Sequence, residues 1–184
     1  GGPAAADRNL IAGNLQGGII LTSGNPTTIQ GNYIGTDITG TVALVTLGGV
    51  GINTVLDSKT VIILGNLISG NDSGGLQIGV NFQTLVSGVV IQGNLVGTQR
   101  DGVSALGNSS GIRASGNGYL IGGTIPGQGN IIAFNQFGII VTTGFVNDAI
   151  LGNSIFNNES KGIQLLQGGP LPNNSCDSGF ILGN

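Results

Sequence analysis

Histidine, methionine and tryptophan are absent from this 184-residue chain, cysteine occurs once, and charged residues make up only 7%. Each shortage excludes something. Without His there is no imidazole for acid–base work, the role that side chain fills most often. The five Lys and Arg are scattered and build no basic patch, so the electrostatic footprint of nucleic-acid binding is missing and no nucleic-acid partner is expected. A lone thiol, Cys176, rules out an intramolecular disulfide. No apolar run approaches the roughly 18 residues that a membrane-crossing helix needs, so no membrane span is expected.

What the chain has in quantity is glycine, 37 residues of it, together with Asn and aliphatic residues. Low charge and high glycine are also found in disordered segments, but disorder goes with low hydrophobicity and high net charge. Here the hydrophobic fraction is 39% and the net charge only −3. Ile, Leu and Val come in short runs punctuated by Gly and Asn, the pattern of strands separated by turns. The chain is expected to fold, and to fold as β.

Self-similarity organises it. A unit of Asn, two mostly apolar residues, two more and then a polar residue recurs as NLIAGN from Asn9, NYIGTD from Asn32, NLISGN from Asn66, NLVGTQ from Asn94, NIIAFN from Asn130 and NSIFNN from Asn153. Asn184 begins a seventh, and the spacings are 23, 34, 28, 36, 23 and 31. Gly precedes each leading Asn except Asn9, which follows Arg8. A second signature, Gly then Ile or Leu, follows each unit at Gly18, Gly51, Gly75, Gly111, Gly138 and Gly162. A third apolar run then returns to the next Gly-Asn, as in VIILGN and VVIQGN. Three short strands per repeat describe one coil of a three-sided β-solenoid: an all-β, right-handed parallel β-helix of about six coils. The long stretches YIGTDITGTVAL and LVGTQRDGVSAL fall in the second and fourth repeats, and their Gly, Thr, Asp and Ser predict loops that leave the core in register.

The expected inward ranks are Ile29, Ile63, Ile91, Ile150 and Ile181, three before the leading Asn, and Ile11, Ile34, Ile68, Val96, Ile132 and Ile155, two after it. Coils stack about 4.8 Å apart, so like side chains sit on like. The leading residues Asn9, Asn32, Asn66, Asn94, Asn130, Asn153 and Asn184 are expected to form a structural ladder at a corner, their amides bonding one another and the turn backbone. Gln30, Gln92 and Gln128, with Leu64, Leu151 and Leu182, are expected to face outward from the strands before each Gly-Asn.

GNYIGTDITGTVAL and the recurring Gly-Asn-x-Ile with Gly-Ile-x-Ile resemble the parallel β-helix repeats of large secreted bacterial proteins, over essentially the whole chain. That superfamily fold also carries pectate lyases, polygalacturonases, alginate epimerases, phage tailspikes and adhesin-like surface proteins. The resemblance implies a fold and leaves function to the site residues.

Polysaccharide enzymes of that kind need clustered carboxylates, or carboxylates holding Ca²⁺ beside an Arg or Lys base. The eight acids here are Asp7, Asp37, Asp57, Asp72, Asp101, Asp148, Glu159 and Asp177, and they mostly occupy different registers of the repeat. Five after the leading Asn stand Asn14, Asp37, Asn71, Gln99, Asn135 and Asn158, with one carboxylate among them. The weak binding candidates are Asp37, Asp72, Arg100, Asp101 and Arg113: a lyase would take Arg100 or Arg113 as base and the three acids as metal ligands. The plainer reading of Asp72 beside Arg100 is a surface ion pair worth roughly 0–1 kcal/mol. No catalytic residue, metal or cofactor is assigned. Phe134, Phe137, Phe145 and Phe156 gather in the fifth and sixth repeats, as core filling or internal stacking. A rank of Thr for ice binding is broken, since Thr22 and Thr142 are separated by Val55, Gly79 and Ser115.

A solenoid needs polar caps, and the chain closes on FILGN, part-way into a new repeat. The expectation is therefore one β-helix domain over 1–184, continuous with further coils or with stacked copies at both ends, serving as an extracellular or cell-surface structural or adhesive element. Its expected partners are copies of itself, end to end or laterally; a polysaccharide-binding or polysaccharide-active module is the alternative.

Overall fold

The computed structural model describes residues 1–22, 26–44, 48–54, 60–71, 74–78, 86–142, 148–166 and 180–182. Cys176, Phe145, Val55, Gly79, Asp72 and Asn184 lie outside the described residues.

The described chain is all-β, with parallel sheets and one short 3₁₀ turn at Ala5–Asp7. Three six-stranded sheets are visited in rotation. Sheet I, made by the residues after each leading Asn, runs Leu10–Ile11, Tyr33–Ile34, Leu67–Ile68, Leu95–Val96, Ile131–Ala133 and Ser154–Phe156. Sheet II holds the Gly-Ile strands Gly17–Leu21, Val50–Thr54, Leu76–Ile78, Ser110–Ala114, Phe137–Val141 and Lys161–Leu165. Sheet III holds Thr27–Gln30, Val61–Leu64, Val90–Gln92, Leu120–Gly122, Asp148–Leu151 and Phe180–Leu182. Each strand is parallel to its neighbours from the repeats before and after. A small fourth ladder pairs Val86–Ser87 with Gly116–Asn117.

Register follows the ranks of like residues. Ile11, Ile34, Ile68, Val96, Ile132 and Ile155 pair in succession through sheet I. Ile29, Ile63, Ile91, Ile121 and Ile150 do so through sheet III. The members of both ranks inside the stack are buried, Ile34, Ile63, Ile68, Ile91, Val96 and Ile132 completely. Burying an aliphatic side chain of this size contributes ~1.5–3 kcal/mol, so the ranks are a main source of cohesion between repeats.

Two placements differ from the sequence reading. Ile181 pairs with Ala149, and Leu182 takes the place beside Ile150. Phe180-Ile181-Leu182 is apolar at every position, so no polar–apolar alternation pins its register. Gln128 is not in a strand either. The fourth repeat's sheet III strand ends at Gly122, and the Gly123-Thr124-Ile125-Pro126-Gly127 segment forms a turn that Gln128 closes by accepting the Ile125 N–H on Oε1 at 3.2 Å. Pro126 has no N–H to give to a ladder, which favours the turn there.

The two long stretches form matching loops. Thr36 bridges Ala43 and Thr98 bridges Ala105, both antiparallel, so each excursion closes on itself and the sheets run past it in register. The loops do not stand free at a corner. Arg100 N–H donates to Gly40 O at 3.0 Å, tying the loop of the fourth repeat to that of the second across the third. Gly40 sits at φ +67, and a Cβ there would come within 3.0 Å of Leu67 Cδ2, Tyr33 Cε2 and Arg100 Cβ. Both the left-handed backbone and the tight fit against the outer face of sheet I thus require glycine.

Candidate functional site

The leading Asn residues build one continuous ladder. Asn94 shows the pattern: its backbone N–H and its Nδ2 both donate to Asn130 Oδ1 at 2.9 Å, while Nδ2 also reaches Ile63 O at 2.9 Å. The N–H of the residue after the next Asn, Ile131, donates back to Asn94 O at 2.9 Å. The same clasp links Asn9 to Asn32, Asn32 to Asn66, Asn66 to Asn94 and Asn130 to Asn153. Asn32, Asn66, Asn94 and Asn130 are buried, so these bonds satisfy polar groups that water does not reach. Of the glycines before them, Gly31, Gly65, Gly93 and Gly152 have positive φ, which turns the chain into the ladder. Gly129 is not among the positive-φ residues, because its repeat enters through the Pro126 turn.

A second ladder was not read from the sequence. Asn71, Asn108, Asn135 and Asn158 are joined by Nδ2-to-Oδ1 bonds of 3.0, 2.9 and 3.1 Å, each with a matching backbone N–H bond. Counting five from the leading Asn gives Gln99 in the fourth repeat. The loop there inserts residues before the corner, so Asn108 supplies the amide instead. The signal was the Asn two residues after the loop-closing Leu106, legible only once the loop is treated as an insertion.

The binding candidates are brought together only in part: Asp37, Arg100 and Asp101 lie on the two loops joined by the Arg100 N–H to Gly40 O bond, and Asp72 lies outside the described residues. Asp37 organises its own loop: its carboxylate accepts Thr39 Oγ1 at 2.7 Å and the backbone N–H groups of Thr41 and Val42 at 3.1 Å. These bonds, the Thr39 hydroxyl first, hold its pKa down at about 2. Asp101 does the same in the second loop, accepting Ser104 Oγ at 2.6 Å and the N–H groups of Val103 and Ser104, so its pKa is also lowered. The backbone N–H of Arg100 is bound to Gly40 O. Arg113 stands in sheet II between Gln77 and Ile140, a different sheet from the Asp101 loop. Among the described residues no group of three or more Asp, Glu or Cys is placed to hold a metal ion.

The most unusual carboxyl is one that sequence reading only counted. Asp148 opens a sheet III strand and is 4% exposed. Oδ1 accepts the Tyr119 N–H at 2.9 Å, whereas Oδ2 is buried without a partner. Burial pushes its pKa up, against the pull of backbone N–H groups from Tyr119 and Gly118. Tyr119 is itself buried and donates its hydroxyl to Ser115 O; burial first, then the Asp148 charge, pushes that phenol up as well. Ala114, Ile121, Val141 and Ile150 complete the seam around the pair, which is too narrow for a water molecule. It is a buried polar contact with no room for a substrate.

No family model, curated protein or solved structure matches this chain. Its chemistry is therefore read from its own residues. The buried Asn side chains Asn32, Asn66, Asn71, Asn94, Asn108, Asn130 and Asn135 are all spent on the two amide ladders, and Phe134 meets Phe156 edge to face at 5.7 Å between ring centroids. No helix among the described residues is long and apolar enough to cross a membrane.

Proposed function

We propose that the chain is a right-handed parallel β-helix of about six coils and serves as an extracellular structural or adhesive element, as part of a large surface protein or a self-assembling filament. Strands of one sheet joined through two intervening strands form a crossover, and parallel crossovers are right-handed in nearly all proteins. The observation that carries the reading is the clasp between successive leading Asn residues, made five times with one geometry. A repeat that spends its buried polar groups on holding its neighbours builds length. The two loop carboxylates point the same way, since each is bound to its own turn.

Negative-stain electron microscopy of the purified chain over a concentration series tests this. Long unbranched fibres one stack wide support the filament. Short rods that never elongate remove it, and binding of those rods to a polysaccharide would favour a carbohydrate-binding module instead.

A further inference from the structure

We propose that Asp148 is a pH-sensitive latch on the corner between sheets II and III, closed while its carboxyl is neutral and opened when it ionises. The proposal goes beyond the structural role above and does not depend on it. Asp148 occupies a place built for apolar side chains. Strand pairing sets Ile62 beside Val90, Val90 beside Leu120 and Leu120 beside Ala149. The residues one before these, Val61, Val89, Tyr119 and Asp148, therefore stack as one inward rank, and all four are buried. A Val in the fourth place would bury no polar atom.

Only one carboxyl oxygen is served. Oδ1 accepts the Tyr119 N–H, while Oδ2 is buried without a partner in the seam lined by Ala114, Ile121, Val141 and Ile150, which no water enters. Among the described residues no cation faces it. Arg113 lies on the strand Ser110–Ala114, but Ile112 and Ala114 on either side of it are buried, so alternation turns Arg113 to the outer face. Lys161 pairs with Phe137, at the far end of that strand from Val141. The strands Val90–Gln92, Leu120–Gly122, Phe137–Val141 and Phe180–Leu182 contain no ionisable residue. The titratable group that does face Asp148 is Tyr119, itself an acid. A neutral carboxyl is tolerated in such a place; a carboxylate with neither counter-ion nor water is not. The neighbouring bonds show what gives way. Tyr119 O accepts the Ala149 N–H at 2.7 Å, the Tyr119 hydroxyl donates to Ser115 O, and the Ser115 and Thr142 hydroxyls are bonded to each other. Asp148 thus closes a corner that ties the fourth repeat to the fifth, and bringing water to its charge parts Tyr119 from Asp148 and Ala149.

Amide hydrogen exchange of the whole chain from about pH 4 to about pH 8 tests the latch, read at Tyr119 and Ala149 after division by the intrinsic rate. In the open corner Asp148 ionises near the ordinary carboxyl value of about 3.9, and in the closed corner higher. Protection at the two amides is therefore expected to fall about tenfold per pH unit between those values and to level off above the upper one. Ile131, whose N–H binds Asn94 O in the leading ladder, is expected to keep its protection throughout. Asp148→Asn, checked by circular dichroism for the fold of the unmodified chain, is expected to make protection at Tyr119 and Ala149 independent of pH. Carbon-13 titration of Asp148 Cγ in the unmodified chain locates the upper value separately. Constant protection at Tyr119 and Ala149 while Cγ titrates above about 3.9 overturns the proposal, because the charge is then borne by a closed corner. A Cγ midpoint at or below that value, an equal loss of protection at Ile131, or the same loss in Asp148→Asn overturns it as well.

Discussion

Asn94 and Asn130, 36 residues apart in sequence, share a single carbonyl oxygen: Asn130 Oδ1 takes both the backbone N–H and the Nδ2 of Asn94 at 2.9 Å. One side chain thereby satisfies a corner amide of the preceding repeat and positions its own corner. Removing it strands several buried groups at once.

Asn94→Ala is expected to lower stability by about 3 kcal/mol, since Asn66 loses the acceptor for its N–H and Nδ2 and Ile63 O loses its donor. Asn9→Ala, at an exposed ladder position whose bonds among the described residues all go to Asn32, is expected to change stability by less than about 1 kcal/mol. Urea unfolding of the two variants checks the contrast; equal effects would remove the ladder as a source of cohesion.

Gly40→Ala is expected to destabilise more than Gly13→Ala. Both residues have positive φ, +67 and +68, but a Cβ at Gly13 meets nothing within 4 Å, whereas one at Gly40 meets Leu67, Tyr33 and Arg100. Backbone strain of about 1–2 kcal/mol applies to both; the added crowding applies only at Gly40. Melting temperatures of the two variants measure the difference.

Asp148 governs a pH dependence with an unusual sign. Its pKa is raised in the folded chain, so between the unfolded value of about 3.9 and the folded one the native state holds more protons. Its contribution is fully present below the unfolded value and is lost as pH rises through the folded one. Asp148→Asn keeps an acceptor for the Tyr119 N–H and removes the charge. It is expected to raise the melting temperature at pH 7 and to change it little at pH 3.5. A variant no more stable than the parent at pH 7 would show that the charge is not felt.

Asp37 has the opposite sign. Its lowered pKa means that its contribution is present above about 3.9 and is lost as pH falls toward about 2. Amide exchange at Thr41 and Val42, whose N–H groups bind its carboxylate, is expected to lose protection over that window and in Asp37→Ala at any pH. Protection that stays constant down to pH 2 would mean that backbone bonds alone hold the loop.

Much of this was legible because the repeat is short and its punctuation regular. The leading Asn, the Gly before it and the Ile two after it mark corner and core, and the sheet I rank from Ile11 to Ile155 pairs as the spacing predicts. Reading failed where a repeat carries an insertion. Counting back from Asn130 misses Ile121, and counting forward from Asn94 misses Asn108, because residues added at a corner shift the count without shifting the stack.

By itself, the sequence determined that the chain forms parallel strands with an aliphatic interior and amide-lined corners, because side-chain period and turn chemistry are local properties. Only the tertiary structure decided which amides bond to which, that two loops lie down on sheet I, and that Asp148 is buried against Tyr119. Those depend on what the neighbouring repeat presents, and hydrogen bonding and burial are properties of the stacked pair rather than of either stretch of chain.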